Sequence, residues 1–410
     1  MSMYETSVIL LCLTATMAYI NVRFVKLPTT IGVMAISLVL SLGIIGLDAL
    51  GLSALKEMEI KLLSGIDFHE VLMDVMLSML LFAGALHVNL HDLKTQKWAV
   101  SFLALIGTLL STAIVAGLTY VMLPIFGIEL SLIWCLIFGA LISPTDPIAV
   151  MGILKSAGAP KAVETTIAGE SLFNDGIGVV LFTLLLGVLA SGQIPSGLDI
   201  ASYFALEAIG GMVFGFALGA AGYYLLKSID SYQEEVLITL ALVLGGYGLA
   251  HTLHLSGPLA MVVTGLMLGN HGRQNAMSDQ TRNYVDLFWE LIDEILNAVL
   301  FVLIGLEIMV ITLEINVMLA ALVAIGIALI ARTAAVLTSL QVLKSKLNLP
   351  KGVWKILTWG GLRGGISVAL VLALPIGAER DLLLTMTYGI VLFSVLVQGL
   401  SVGRVAKKLR

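Results

Sequence analysis

Charge is what this chain has least of. Only 12% of its 410 residues are Asp, Glu, Lys or Arg, against about 25% in a soluble globular protein. With 59% hydrophobic residues, that scarcity leaves no room for a sizeable soluble domain and points to a polytopic protein in membrane lipid; no nucleic-acid partner is expected. Cysteine is nearly absent. Cys12 and Cys135 both fall in apolar runs, so neither a structural disulfide nor a zinc site is expected. The six histidines (69, 87, 91, 251, 254 and 271) form no cluster with cysteines, which disfavours transition metals; a pH sensor among them stays open. His69-Glu70 opens like a metalloprotease motif, but position 73 is Met and the second ligand is missing. No glycine-rich phosphate loop with a lysine is present, so ATP drive is not expected. Nor is there a nucleophile–base constellation, and the chain is read as a non-enzyme without a cofactor. The N-terminus lacks a basic region and a small-residue cleavage signature, and is read as a first membrane helix.

What is present is a succession of apolar runs of spanning length, about 20 residues each. They lie near 6–23, 28–49, 69–90, 98–123, 129–153, 161–190, 200–226, 234–253, 257–271, 286–312, 315–340, 354–376 and 382–404, with an amphipathic loop at 51–66. The expected fold is all-α with about thirteen transmembrane helices. Of the 22 basic residues, seventeen follow odd-numbered segments and only Lys56, Lys61 and Arg380 follow even-numbered ones. The positive-inside rule then puts the N-terminus outside and the C-terminus in the cytoplasm. Segments one to six start outside and eight to thirteen start inside. The expectation is a single transporter domain of two inverted six-helix repeats, approximately 6–190 and 234–404, joined by the helix 200–226. That pairing equates helix five with helix twelve, the two most disrupted segments.

Helix five contains Ser143-Pro-Thr-Asp-Pro147. Two prolines remove backbone donors, so the helix is expected to stop near Ser143 and restart near Asp146, with Thr145 or Asp146 as cap and Pro147 at the first helical position. Freed carbonyls there can coordinate a cation. Helix twelve contains Gly360-Gly-Leu-Arg-Gly-Gly365, where four glycines around Arg363 predict an unwound or closely approached backbone.

Helix six carries Glu170-Ser-Leu-Phe-Asn-Asp175 inside an apolar run. A carboxylate at membrane depth costs roughly 2.5–3.5 kcal/mol or more, and its default reading is an ion or proton pathway. Ser171, Asn174 and Asp175 share one helix face; with Asp146 and the carbonyls around Thr145 they supply oxygen ligands for sodium. Glu170 points about 100° away from Ser171 and is read as a structural partner for an intramembrane arginine. The deepest charges, Asp146, Glu170, Asp175, Arg332 and Arg363, leave one negative charge uncompensated, which either one proton or one monovalent cation can neutralise. Acidic stripes at Asp67, Glu70 and Asp74 on helix three, and at Asp286, Glu290, Asp293 and Glu294 on helix ten, are expected to be funnels that concentrate cations at the outer and inner mouths.

These four stretches, Ser143–Pro147, Glu170–Asp175, Ile330-Ala-Arg332 and Gly360–Gly365, together resemble the cation/proton antiporter-1 family, the prokaryotic NhaP-type and animal NHE-type sodium/proton exchangers. The resemblance runs in order through essentially the whole chain. It implies an NhaA/NhaP-like fold of thirteen helices in inverted repeats, a homodimer, and a core domain moving against a dimerisation domain in a plasma (inner) membrane. It implies that Asp175 binds sodium or a proton in turn, joined by Asp146, Ser171 and the Thr145 carbonyl, while Asn174 holds the site together. Glu170 is implied to bridge Arg332, and Arg363 to be a second essential cation. An Asn174-Asp175 pair is like that of the electroneutral exchangers; electrogenic relatives carry two aspartates. The chain departs from the pattern at Leu81–His87 of helix three, which lacks the acid some members place near the ion, and in having no long cytoplasmic tail. The expected function is one-for-one exchange of sodium for protons by alternating access, in pH homeostasis. Potassium or lithium in place of sodium stays open, as does a cation channel using the same carboxylates.

Overall fold

The computed structural model describes residues 3–51, 71–193, 195–310, 314–344, 349–350 and 352–407. Among them the regular structure is helical, apart from one isolated backbone bridge. Eight helices are long and apolar enough to cross a membrane, and two shorter apolar ones join them.

In chain order, α1 covers Met3–Ile20, α2 Thr29–Ala49, α3 Leu77–Leu86 and α4 Thr108–Met122. The fifth segment is split into α5a, Leu132–Ile142, and α5b, Ile148–Ala157. Then come α6 (Lys161–Ser191), α7 (Gly197–Lys227), α8 (Tyr232–Thr252), α9 (Gly257–Met267), α10 (Asp279–Leu306) and α11 (Ile315–Val342). The twelfth segment is split into α12a (Val353–Trp359) and α12b (Gly365–Leu372), and α13 starts at Ala378–Leu392 and runs on helically to Lys407. The order follows the apolar runs of the sequence. The expected segments three, five, nine and twelve are short or interrupted. Segment ten is long, but its first half carries the acidic stripe, so it lacks the composition of a lipid-facing span.

The helices pack as two groups. In one, α4 lies against α5a and α11, α5a against α6, α11 against α13, and α5b against the end of α13. In the other, α7 and α3 lie against α9, α8 against α9 and α10, and α2 and α1 against α10. Small residues let these backbones approach, as membrane helices require where apolar burial gives no drive for association. A β-carbon on Gly211 of α7 would meet the Ser256 carbonyl at 2.6 Å, and one on Gly265 of α9 the Phe82 carbonyl at 2.7 Å. The groups meet where α6 packs on α7 and α9, and where α12b packs on α10. Both split helices belong to the first group, and their gaps are brought together inside it.

Candidate functional site

Both gaps begin as read from the sequence. α5a stops at Ile142, with Ser143 still hydrogen-bonded back to Gly139 at 3.0 Å. The restart differs from the expectation. α5b begins at Ile148 with Pro147 as its N-cap residue, and Asp146 lies outside the helix. The Asp146 backbone N–H donates to the Leu362 carbonyl in the other gap at 2.9 Å, forming an antiparallel bridge of one residue pair. That bond joins the two gaps, and the N-cap residue Pro147 makes no side-chain capping bond. The helix-twelve glycines make the approach possible: a β-carbon on Gly364 would collide with the Asp146 carboxylate, and one on Gly361 with the Arg332 guanidinium.

Asn174 of α6 ties the first gap to its own helix. Its Nδ2 donates to Thr145 Oγ1 at 2.9 Å, and its Oδ1 accepts from the Thr145 backbone N–H at 3.3 Å. Thr145 Oγ1 and Ser171 Oγ share a further hydrogen bond of 3.0 Å. Thr145, Ser171, Asn174 and Asp175 are all buried, and Asp146 is half-buried. Asp175, 5% exposed, accepts no hydrogen bond from any described residue. It lies in electrostatic range of Asp146 and Arg363. The arrangement offers two carboxylates and two hydroxyls in one buried place.

Glu170 faces elsewhere. Both its oxygens accept from Arg332 of α11, one from Nη1 and the other from Nη2 at 2.9 Å. Arg332 Nε and Nη2 also donate to the Leu357 carbonyl of α12a, at 3.1 and 2.9 Å. Three helices are thereby joined through one guanidinium, whose planar fork suits bidentate pairing. Arg363 is 2% exposed, and its Nη1 donates to the Gly361 carbonyl at 3.2 Å.

The acidic stripes fare differently. Asp67 and Glu70 lie outside the described residues, as does the segment 52–70 as a whole. Asp74 falls on the helical turn Val71–Met76, but its side chain is outside the description. On α10, Asp286 pairs with Arg273 through a 2.9 Å bond from Nε, so its charge is already matched. Glu290 and Glu294 are exposed, and Asp293 is half-buried with its Oδ1 accepting from Asn297 at 3.1 Å. Of the four, Asp293 is in electrostatic range of Asp146.

Two contributors escaped the sequence reading. Thr112 of α4 donates to Ser143 at 3.1 Å, steadying the edge of the first gap. Gln398 donates to the Trp359 carbonyl at 3.2 Å, satisfying the end of α12a. Each is a polar side chain inside an apolar run, and that signal could have flagged them.

A sequence profile described as "Sodium/hydrogen exchanger, transmembrane" matches residues 10–408. The chain is 53% identical over 403 residues to the Na(+)/H(+) antiporter NhaP of Pseudomonas aeruginosa, spanning 97% of this chain and 95% of that protein. It is 36% identical to the Na(+)/H(+) antiporter NhaH of Halobacillus dabanensis, spanning 98% and 97%. Its fold superposes on the sodium proton antiporter MjNhaP1 of Methanocaldococcus jannaschii with a TM-score of 0.77 at 22% identity, covering 100% of this chain and 99% of that one. The chain belongs to the transmembrane sodium/hydrogen exchanger family.

Proposed function

We propose that the protein is a secondary antiporter exchanging sodium for protons one for one, and that Asp175 is the carboxylate for which the two ions compete. The observation that carries this reading is the crossing of two interrupted helices beside a buried carboxylate that accepts no hydrogen bond from the described residues. The Glu170–Arg332 pair is internally neutral, which leaves Asp146 and Asp175 facing Arg363. Two carboxylates against one guanidinium leave one negative charge, and an isolated charge in a dry interior is strongly disfavoured. One proton or one sodium restores neutrality. A site neutralised by either, and crossing poorly when empty, yields electroneutral exchange.

Asp175, Asp146 and Ser171 supply the sodium ligands, with the Thr145 carbonyl freed by the helix gap. Asn174 holds Thr145 against α6. Glu170 and Arg332 form the structural bridge, and Arg363 compensates the carboxylates. On the inward approach Asp293, flanked by Glu290 and Glu294, draws cations towards Asp146. We assign the two inverted repeats to approximately 6–190 and 234–404, a support for which is that the gaps of helices five and twelve meet. The first helix group carries the site and shifts against the second, which dimerises, in a plasma (inner) membrane with the C-terminus cytoplasmic. This makes the protein a transporter and not an enzyme.

The test is exchange in liposomes containing an internal pH dye, with sodium, lithium or potassium added outside and the potential clamped or free. Proton movement driven by sodium and indifferent to the potential is the expected result. A response that tracks the potential overturns the charge count, and a protein that answers potassium alone overturns the sodium assignment.

A further inference from the structure

A cavity of about 330 Å³ lies at the junction of the two helix groups, away from the helix crossing. One wall belongs to the site-bearing group. It includes Val179 and Val180 of α6, one turn beyond Asp175, and Leu370 of α12b. The opposite wall is built by Tyr203 and Glu207 of α7 and by His251 and His254 at the end of α8. The walls also contain Tyr247 and Met73. Among the described residues lining it, Glu207 is the one carboxylate, and those of α6 and α12b contribute no titratable group.

Glu207 sits in a helix apolar enough to span a membrane, where a carboxylate kept for packing alone is disfavoured. It is half-buried, and Tyr203 donates to its Oε1 at 3.0 Å. His254 lies in electrostatic range of it. The Glu207 backbone carbonyl accepts from Ser256 N–H at 3.1 Å, and Gly210 and Gly211 leave room for Leu255 and Ser256 to pack directly on α7. His254 holds a left-handed backbone, φ 54°, rare for a residue with a β-carbon. A conformation that unfavourable persists where its surroundings impose it; here it turns the chain from α8 into α9 at the cavity rim.

We propose that this cavity is the ion port on the side of the membrane opposite the α10 acidic stripe, and that Glu207 is its cation-capturing residue. The inference rests on the antiporter reading above. A water occupies about 30 Å³ in the liquid, so the space admits a sodium ion with much of its hydration shell. Glu207 places a negative charge on that lining and concentrates cations one turn from Asp175.

The test compares right-side-out with everted membrane vesicles, reading sodium-driven proton movement in each. Glu207→Gln is expected to raise the apparent KM for sodium about fivefold in one vesicle orientation and to leave it unchanged in the other. An equal shift in both orientations, or none in an active protein, overturns the port. A wild type without sodium-driven proton movement overturns the antiporter reading instead. Should Glu207→Gln fail to accumulate, Thr183→Cys, which lines the cavity, replaces it on a Cys12→Ser background. A membrane-impermeant cationic thiol reagent must then block exchange from one side only, and block from both sides or neither overturns the port.

Discussion

At the scale of single residues, two carboxylates five positions apart on α6 have opposite surroundings. Glu170 has both oxygens engaged by Arg332, whereas Asp175 accepts no hydrogen bond from a described residue. Their substitutions should fail in different ways. Asp175→Asn keeps the shape and removes the charge, and sodium-driven proton movement in liposomes should fall to that of protein-free vesicles; retained exchange would remove Asp175 from the site. Glu170→Gln leaves Arg332 buried without its counter-charge, which costs roughly 3–5 kcal/mol. The expected outcome is loss of folded protein, read by thermal unfolding in detergent, and a well-folded variant with altered sodium affinity would place Glu170 among the ligands. The helical spacing of Ser171, Asn174 and Asp175 made their common face legible in the sequence, and the 100° offset set Glu170 apart. The partner of Glu170 lies 162 positions away, and periodicity carries no information over that distance.

At the scale of elements, proline and glycine marked both helix gaps, because their effect on the backbone is local. They predict the stop of helix five where it lies and its first helical residue one position early. Thr145 or Asp146 is the cap that an isolated Thr-Asp-Pro prefers, but the N-cap position falls to Pro147, and the Asp146 N–H joins Leu362 across the crossing. The glycines of helix twelve matter here for space. Gly364→Ala should push the Asp146 carboxylate away and abolish exchange, whereas Gly187→Ala, with nothing within 4 Å of the added carbon, should exchange like wild type. Equal activity of the two variants would mean that the crossing is not needed. The acidic stripe of α10 shows the limits of spacing in the same way. Its regular pattern suggested four equivalent charges, but Arg273 matches Asp286 and Asn297 binds Asp293.

At the scale of the whole molecule, the packing into two helix groups gives the proposed exchange a mechanical basis. Most close helix contacts are within a group, and the junction is made chiefly by α6 on α7 and α9. Thr183 and Tyr203 stand on opposite sides of that junction, around the same cavity. Replacing both by Cys on a Cys12→Ser background and joining them with a short bifunctional thiol reagent should arrest exchange, and a cleavable linker should restore it on reduction. Unchanged exchange in a fully cross-linked protein would exclude relative movement there.

Membrane embedding, the order of the helices and the places where two of them break were readable from the chain alone. Each depends on free-energy costs set by a residue and its near neighbours: desolvation of charge, loss of a backbone donor, freedom of a glycine. Of the deepest charges read from the chain, Asp146 is only half-buried, and Glu235 and Glu307 are buried besides. Which carbonyl meets Asp146, how the hydrogen bonds of Arg332 engage both oxygens of Glu170 while Asp175 accepts none from the described residues, and that Glu207 opens on a cavity with two histidines were settled by packing. Those are choices among distant partners, and their energies exist only once the helices stand side by side.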